Sequence, residues 1–132
     1  MNVRVQMEDF DVSREIAAVR AGNPRIGAVA SFVGVVRDLN DGSSVAEMTL
    51  EHYPGMTEKS IEAIINEARG RWDVMNARVI HRVGTLKPLD QIVLVVVASG
   101  HGWYARTARP ICPTGASRTA ACAAFITAGC LT

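Results

Sequence analysis

Two residues at predicted strand ends have the side chains best suited to chemistry in this sequence. Arg37 directly follows residues 28–36, a run rich in β-branched residues, and opens a loop of asparagine, aspartate and glycine. A guanidinium there can hold a phosphate through two parallel hydrogen bonds. His101 ends the most apolar run of the chain, where an imidazole can act as an acid, a base or an anion contact. We therefore predict an anion site around Arg37 and His101; the alternatives are a solvated arginine and a histidine that bonds backbone.

The remaining histidines and the cysteines do not have the spacing of a metal site. His52 and His81 fall on separate segments, without an HxH or HExxH pattern. Cys112, Cys122 and Cys130 are odd in number and show no CxxC pair, so we expect free thiols and no disulfide framework. Nucleotide-binding glycine motifs and a GxSxG elbow are also absent. We expect no metal and no bound cofactor.

Hydrophobic periodicity predicts the elements that must position these side chains. Asp11 can cap a helix whose apolar face is Val12, Ile16 and Val19. Gly34 marks a bulge or a close approach within its strand. The predicted elements are a helix from residue 12 to about 21, strand 28–36, loop 37–44, strand 45–53, a helix from after Gly55 to about Trp72, strand 77–83, connection 84–90 and strand 92–99. The last strand is nearly all apolar and should be buried on both faces. His52 should lie on a packed face, and His81 and Arg82 on opposite faces.

The composition of the chain changes after His101. All 13 acidic residues precede that point, and the residues that follow are mainly alanine, threonine, arginine, glycine, proline and cysteine. Only one weak helix is predicted there, over residues 118–128, with Ser117 as its cap and Gly129 as its stop.

Length and charge exclude several classes of protein. A chain of 132 residues fits one domain, and a net charge of +1 gives no general attraction to nucleic acid or to anionic membranes. Glu8 and Asp9 interrupt the start of the chain, where a secretory signal would be apolar. The longest apolar run, residues 92–98, is too short to span a bilayer. We expect a cytoplasmic protein.

Four blocks of residues resemble one family. They are FVGVVRD at 32–38, LEHYPGMTEK at 50–59, IHRVG at 80–84 and SGH at 99–101. In sequence, order and spacing they are similar to the large, catalytic subunit of molybdopterin synthase (MoaE-like), over about residues 1–101. The resemblance implies a single α+β domain of the α/β hammerhead kind, with a mixed or antiparallel sheet and flanking helices.

The same resemblance implies a sulfurtransferase of molybdenum cofactor biosynthesis. Family members convert a cyclic pyranopterin monophosphate to molybdopterin, with sulfur from the C-terminal Gly-Gly thiocarboxylate of a ubiquitin-like small subunit. Two large subunits form the central dimer of a heterotetramer. By this resemblance Arg37 and His101 bind the substrate: Arg37 matches the loop arginine of the family, and His101 matches the histidine of a His-Arg pair at the pterin site. No nucleic acid or membrane partner is implied.

The sequence departs from the family after His101. Gly102 replaces the arginine of the pair, and no lysine follows Lys87, so both catalytic lysines of the family are missing and no catalytic residue is assigned. We divide the chain into a family-like domain, 1–101, and an atypical tail, 102–132. Either a frameshift or true divergence explains the tail. We expect the tail to leave one side of the sheet uncovered and the enzyme severely impaired. The alternative function is a degenerate module that dimerises or binds the small subunit.

Overall fold

Eight strands and three helices make up the part of the chain that the computed structural model describes, which is residues 2–40, 42–44, 46–100 and 118–131. In chain order they are β1 (Val3–Gln6), α1 (Val12–Arg20), β2 (Ala28–Val35), β3 (Leu39–Asn40), β4 (Ser43–Ser44), β5 (Met48–Leu50), α2 (Met56–Arg71), β6 (Asn76–Arg82), β7 (Gly84–Leu86), β8 (Gln91–Ser99) and α3 (Arg118–Leu131). The predicted α+β class is confirmed.

A four-stranded mixed sheet, in the order β1-β6-β8-β2, forms the centre of the fold. β1 runs parallel to β6, whereas β8 is antiparallel to both of its neighbours. All residues from Val93 to Ala98 are fully buried, which confirms the prediction of a central strand covered on both faces.

Alternate residues of the strands supply two separate apolar clusters. On one face the sheet packs against α2 and α3, through Val3, Ile61, Ile65, Ala68, Ala77, Val79, Val93, Val95, Val97, Cys122, Ala123 and Ile126. On the other face it packs against α1, through Phe10, Val19, Ile80, Leu94, Val96 and Ala98. The period of two along β8 therefore sends successive side chains to different helices.

The helix starts follow from local sequence. The Asp11 carboxylate accepts a hydrogen bond from the backbone N–H of Arg14 at 3.1 Å, as predicted, and caps α1. Gly55 precedes α2 with φ +81°, a conformation that glycine adopts without strain. The Glu58 carboxylate reaches back to accept a hydrogen bond from the Gly55 N–H at 2.9 Å. The Pro54-Gly55 pair therefore marks the start of α2, as predicted.

Two predicted segments differ from the structure because they pair over long distances. The strand predicted over residues 45–53 is only Met48–Leu50, and the connection predicted over 84–90 contains the strand Gly84–Leu86. These two short strands pair with each other, in an antiparallel ribbon outside the main sheet. The loop 37–44 likewise contains the small hairpin β3-β4. The strands β5 and β7 are far apart in the sequence, so their pairing leaves no local signal.

The helix in the tail is longer and better packed than predicted. α3 continues through Gly129 to Leu131, so Gly129 is not its stop. A Cβ on Gly129 would lie 2.8 Å from Ile64 Cδ1, which shows how closely α3 approaches α2. Ile126 is fully buried against the sheet, and Phe125 packs on Trp72 with ring centroids 5.3 Å apart. The expectation that the tail leaves this face uncovered is wrong, because a run of small side chains with one buried isoleucine is enough to cover it.

Candidate functional site

Arg37 lies just beyond the end of β2, and its backbone is anchored while its side chain is exposed. β2 ends in the predicted irregularity, a register shift between Gly34 and Val35. The next residue, Val36, donates its N–H to the Asp90 carbonyl at 3.0 Å and accepts the N–H of Leu89 at 2.9 Å. The Arg37 side chain extends from this fixed point into solvent. An exposed guanidinium on an anchored backbone can form two parallel hydrogen bonds to a phosphate.

His101 lies outside the described residues, and the structure fixes only the segment that leads to it. Ser99 ends β8, is buried, and accepts a hydrogen bond from the Gly27 N–H at 2.9 Å. Gly100 follows next to the loop before β6, where an added Cβ would lie 3.3 Å from Met75 Sδ. The chain therefore enters His101 from the end of the sheet where β2 begins.

Arg37 and the segment that leads to His101 belong to opposite ends of the β2-β8 pair. Ala28 pairs with Ser99, and Val35 pairs with Gln91. Because the eight residues of β2 are separated by rises of about 3.4 Å, its first and last residues lie about 24 Å apart. Arg37 follows one end, and the segment leading to His101 leaves the other. Within one copy of the chain, the register therefore separates Arg37 from Ser99 by the length of β2.

His52 is half-buried and bonds a carboxylate. Its Nε2 lies 3.2 Å from Glu58 Oε1, while Glu58 Oε2 accepts the Gly55 N–H at 2.9 Å. One carboxylate therefore holds both ends of the loop between β5 and α2. Tyr53, within that loop, is 66% exposed. His52 and Glu58 thus have a structural function in the motif that marked the family resemblance.

His81 and Arg82 are successive residues of β6, and both are half-buried. Burial lowers the pKa of His81, and nearby His52 lowers it further, although the hydrogen bond to the Arg82 carbonyl opposes the shift. His81 is therefore neutral at pH 7 and adds no positive charge to an anion site. Arg82 donates from Nη1 to the Gln91 carbonyl at 3.0 Å.

A charged cluster that the sequence did not predict joins α1 to the sheet. Glu15 is buried, and its two carboxylate oxygens accept hydrogen bonds from Arg4 of β1 and Arg78 of β6, the latter at 2.6 Å. In the sequence, Glu15 lies 11 positions from Arg4 and 63 positions from Arg78. Only the parallel pairing of β1 with β6 brings the two arginines together, so no local pattern could have indicated the cluster.

Replacing Glu15 with glutamine is expected to weaken the acid dependence of stability. Burial raises the pKa of Glu15, but the hydrogen bonds from Arg78 and Arg4 outweigh it, and the net pKa lies below the ordinary 4.5. A lowered folded pKa stabilises the fold above the unfolded pKa, and this contribution disappears as pH falls below about 4.5. At pH 7 the variant should lose about 1 to 2 kcal/mol in urea unfolding, and less at pH 3.

The exposed Glu47 provides a control for this measurement, because Glu47→Gln makes the same chemical change away from any described partner. Its unfolding midpoint should follow that of the unmodified chain from pH 7 to pH 3. If Glu15→Gln followed it too, the arginine pair would not be stabilising the folded state through Glu15.

The described residues contain no group of three or more histidine, cysteine or acidic side chains arranged to hold a metal ion. Cys122 and Cys130 are free thiols, as predicted, and burial raises the pKa of each to about 11. Both are therefore protonated and unreactive at neutral pH. Cys112 lies outside the described residues.

Comparison with known proteins decides the family. The family model of the MoaE protein matches residues 5–109, which is most of the chain and continues past His101. The chain belongs to the MoaE family. The predicted resemblance is confirmed, and the mixed sheet described above is the MoaE fold.

Three similar proteins show how far the MoaE likeness extends. The molybdopterin synthase catalytic subunit of Ralstonia nicotianae is 68% identical over 99 residues, which are 75% of this chain and 56% of that protein. A molybdopterin cofactor biosynthesis protein E from Burkholderia multivorans superposes with a TM-score of 0.79 at 46% identity, covering 99% of this chain and 76% of that one. A protein from a Helicobacter pylori complex of subunits 1 and 2 of molybdopterin-converting factor shares the fold, with a TM-score of 0.61 at 18% identity over 76% of this chain and 67% of that one.

Proposed function

We propose that the chain is the large subunit of a molybdopterin synthase, which transfers sulfur to a cyclic pyranopterin monophosphate. The observation that carries the proposal is the 68% identity with a protein of that name over most of this chain. Because the match spans about half of that relative, activity, substrate and partners are all part of the proposal. Arg37 is the residue that we assign to the substrate phosphate, since its guanidinium is exposed on an anchored backbone.

The proposed sulfur donor is a small ubiquitin-like subunit with a C-terminal Gly-Gly thiocarboxylate. The Helicobacter pylori relative of the same fold was solved as a complex of two subunits, which supports a partner of this kind. In this reaction the thiocarboxylate gives its sulfur to the pterin side chain and ends as a carboxylate. The large subunit must therefore hold an anionic substrate beside an anionic tail, a task that requires positive charge.

We further propose that the substrate site is shared between two copies of the chain. Arg37 and the segment leading to His101 lie about 24 Å apart in one copy. In a two-fold symmetric pair of antiparallel sheets, the Arg37 end of one copy can lie beside the His101 end of the other. This arrangement also agrees with the central dimer that the family resemblance implies.

The missing lysines support a second candidate function. No lysine follows Lys87, so the general acid and base of the family have no counterpart in the chain. A chain of this kind could still dimerise and bind the small subunit without converting substrate. A measurement of substrate turnover distinguishes the enzyme from the binding module, because both functions use the same surfaces of the chain.

The first test is sulfur transfer with a thiocarboxylated small subunit and the pterin monophosphate. If molybdopterin forms and Arg37→Ala raises KM about tenfold or more, while the exposed Arg20→Ala does not, the enzyme proposal is supported. Binding of the small subunit without product would support the module instead. A chain that neither binds the small subunit nor forms product would overturn both.

Mixed dimers test the shared site without requiring turnover. We expect Arg37→Ala and His101→Ala each to lose pterin monophosphate binding as pure proteins. Co-expressed in equal amounts, they should recover about a quarter of the wild-type sites, because half of the pairs are mixed and each mixed pair has one intact site. If mixing restores no sites although mixed dimers form, both residues act within one copy or not on the same ligand.

Two remaining expectations are also proposals. None of the helices in the described part of the chain is long and apolar enough to cross a membrane. We propose a cytoplasmic location, which fractionation of cells expressing the chain would test. We also propose that the chain divides into residues 1–101, which resemble the family, and an atypical tail, 102–132, produced by a frameshift. Resequencing the gene across the codons for residues 99–103 would test it, since another frame should then encode an arginine and a lysine-containing helix.

A further inference from the structure

A groove of about 430 Å³ lies on the α1 side of the sheet, along the outer edge of β1. Its lining includes Arg4 and Gln6 of β1, Arg14 and Glu15 of α1, and Arg78 of β6. β1 and β2 are the two outer strands of the sheet, and the groove lies over β1 and β6, so β8 separates it from β2. At about 4.8 Å per strand spacing, β1 and β2 lie about 14 Å apart across the sheet. The groove is therefore distinct from the proposed substrate site.

Three guanidinium groups from three separate elements converge on this groove. Arg4 and Arg78 are each held by one hydrogen bond to the buried Glu15. A guanidinium has five N–H donors, so both retain donors to offer, and their side chains are 44% and 28% exposed. Arg14 is exposed at the lip of the groove, and its side chain forms no hydrogen bond or ion pair with the described residues. The N–H donors of these arginines are thus partly held in position, and only some of them form hydrogen bonds within the protein.

The carboxylates near the groove are already engaged within the protein. Glu15 binds the two arginines, and Asp11 caps α1 through the Arg14 N–H. Asp9 accepts hydrogen bonds from Gln91 at 2.8 Å and from the Phe10 N–H at 2.9 Å. These hydrogen bonds, chiefly the one from Gln91, lower the pKa of Asp9, which therefore stays charged and bonded at neutral pH. Both oxygens of Glu15 and one oxygen each of Asp9 and Asp11 are therefore occupied, while the arginines keep free N–H donors for an anion.

We propose that this groove binds the phosphate group of a small phosphorylated molecule, at a site separate from Arg37. Guanidinium pairs recognise phosphate through parallel hydrogen bonds, and Glu15 fixes two of the guanidiniums in place. The N-terminus of α1 adds a favourable dipole at the same lip. The site does not depend on the proposed sulfur transfer, and its ligand need not be the pterin.

Titration with inorganic pyrophosphate at constant ionic strength tests the proposal, with backbone amide NMR shifts of residues 11–18 as the readout. We expect saturable shifts in the whole chain. Arg14→Gln and Arg4→Gln should each weaken binding about tenfold or more, because each removes charged donors. Arg20→Gln makes the same charge change on the same helix, outside the groove lining, and should have no effect. Arg37→Gln should also leave these shifts unchanged, whatever it does to pterin binding.

Two results would overturn the proposal. One is the absence of saturable shifts at residues 11–18 in the folded, unmodified chain. The other is an equal loss of affinity in Arg14→Gln and Arg20→Gln, which would show attraction to overall charge and not to a site. Arg14 is exposed and bonds no described residue, so its replacement should not prevent folding; a urea unfolding curve verifies that each variant is folded.

Discussion

Replacing Ile126 with alanine is expected to lower the free energy of unfolding by about 3 to 4 kcal/mol. Ile126 is fully buried in the cluster that joins α3 to the sheet and to α2. Removing most of its side chain would leave a cavity between layers that have little freedom to collapse. Urea unfolding of the whole chain measures the loss. The result would show that the tail is part of the folded domain, although its composition differs from that of the preceding residues.

Ala124 provides the control, because it lies on the exposed side of the same helix. Ala124→Ser should change stability by about 0.5 kcal/mol or less, since it alters helix propensity alone. If Ile126→Ala behaved like Ala124→Ser, α3 would contribute nothing to the core. The folded domain would then end near residue 100.

Strong periodicity in the sequence predicted three of the four strands of the main sheet, β2, β6 and β8, and the helices α1 and α2, but it did not predict β1. α1 has the predicted face of Val12, Ile16 and Val19, and α2 ends within a residue of the predicted Trp72. The unbroken apolar run identified β8, because a strand that is covered on both faces needs apolar side chains at nearly every position. Local propensity and tertiary packing favour the same structure in these segments, so the sequence alone was sufficient.

The extent and the pairing of elements that depend on a distant partner could not be predicted. β5 and β7 are three-residue strands that exist because they pair with each other, 36 positions apart, as between Thr49 and Thr85. α3 was only weakly indicated, because an alanine-rich helix has little contrast between its faces. Gly129 resembled a stop signal, yet it allows the close approach to Ile64. Tertiary contact decided all of these cases.

The sequence predicted individual residues of the candidate site but not their positions relative to one another. The sequence identified Arg37 as a strand-end arginine, and the structure places it beyond the end of β2, on an anchored backbone. The relation of Arg37 to His101 required the register of β2 on β8, which no pattern within either strand encodes. The same limit applies to Glu15 and its two arginines. Chemistry that combines residues from different strands becomes visible only after the strands are paired.

Gly34 should be the most sensitive position on β2, and Gly34→Ala is expected to cost about 2 to 3 kcal/mol. An added Cβ would lie 2.8 Å from Cγ1 of Val93, which is fully buried on the neighbouring strand. β2 would have to shift, and Arg37 lies three residues further along the chain. We therefore expect weaker binding of the pterin monophosphate in addition to the loss of stability measured by urea unfolding.

A double-mutant cycle with Val93→Ala separates this clash from other effects of the substitution. Val93→Ala alone should cost about 2 kcal/mol through its cavity, but it removes the atom that the new Cβ would meet. Gly34→Ala should then be nearly neutral in the Val93→Ala background, a coupling of about 2 kcal/mol. As a control, Gly70→Ala in α2 has no neighbour within 4 Å and should be neutral or stabilising. Additive costs at positions 34 and 93 would contradict the clash and, with it, the reason why this strand requires glycine before its bulge.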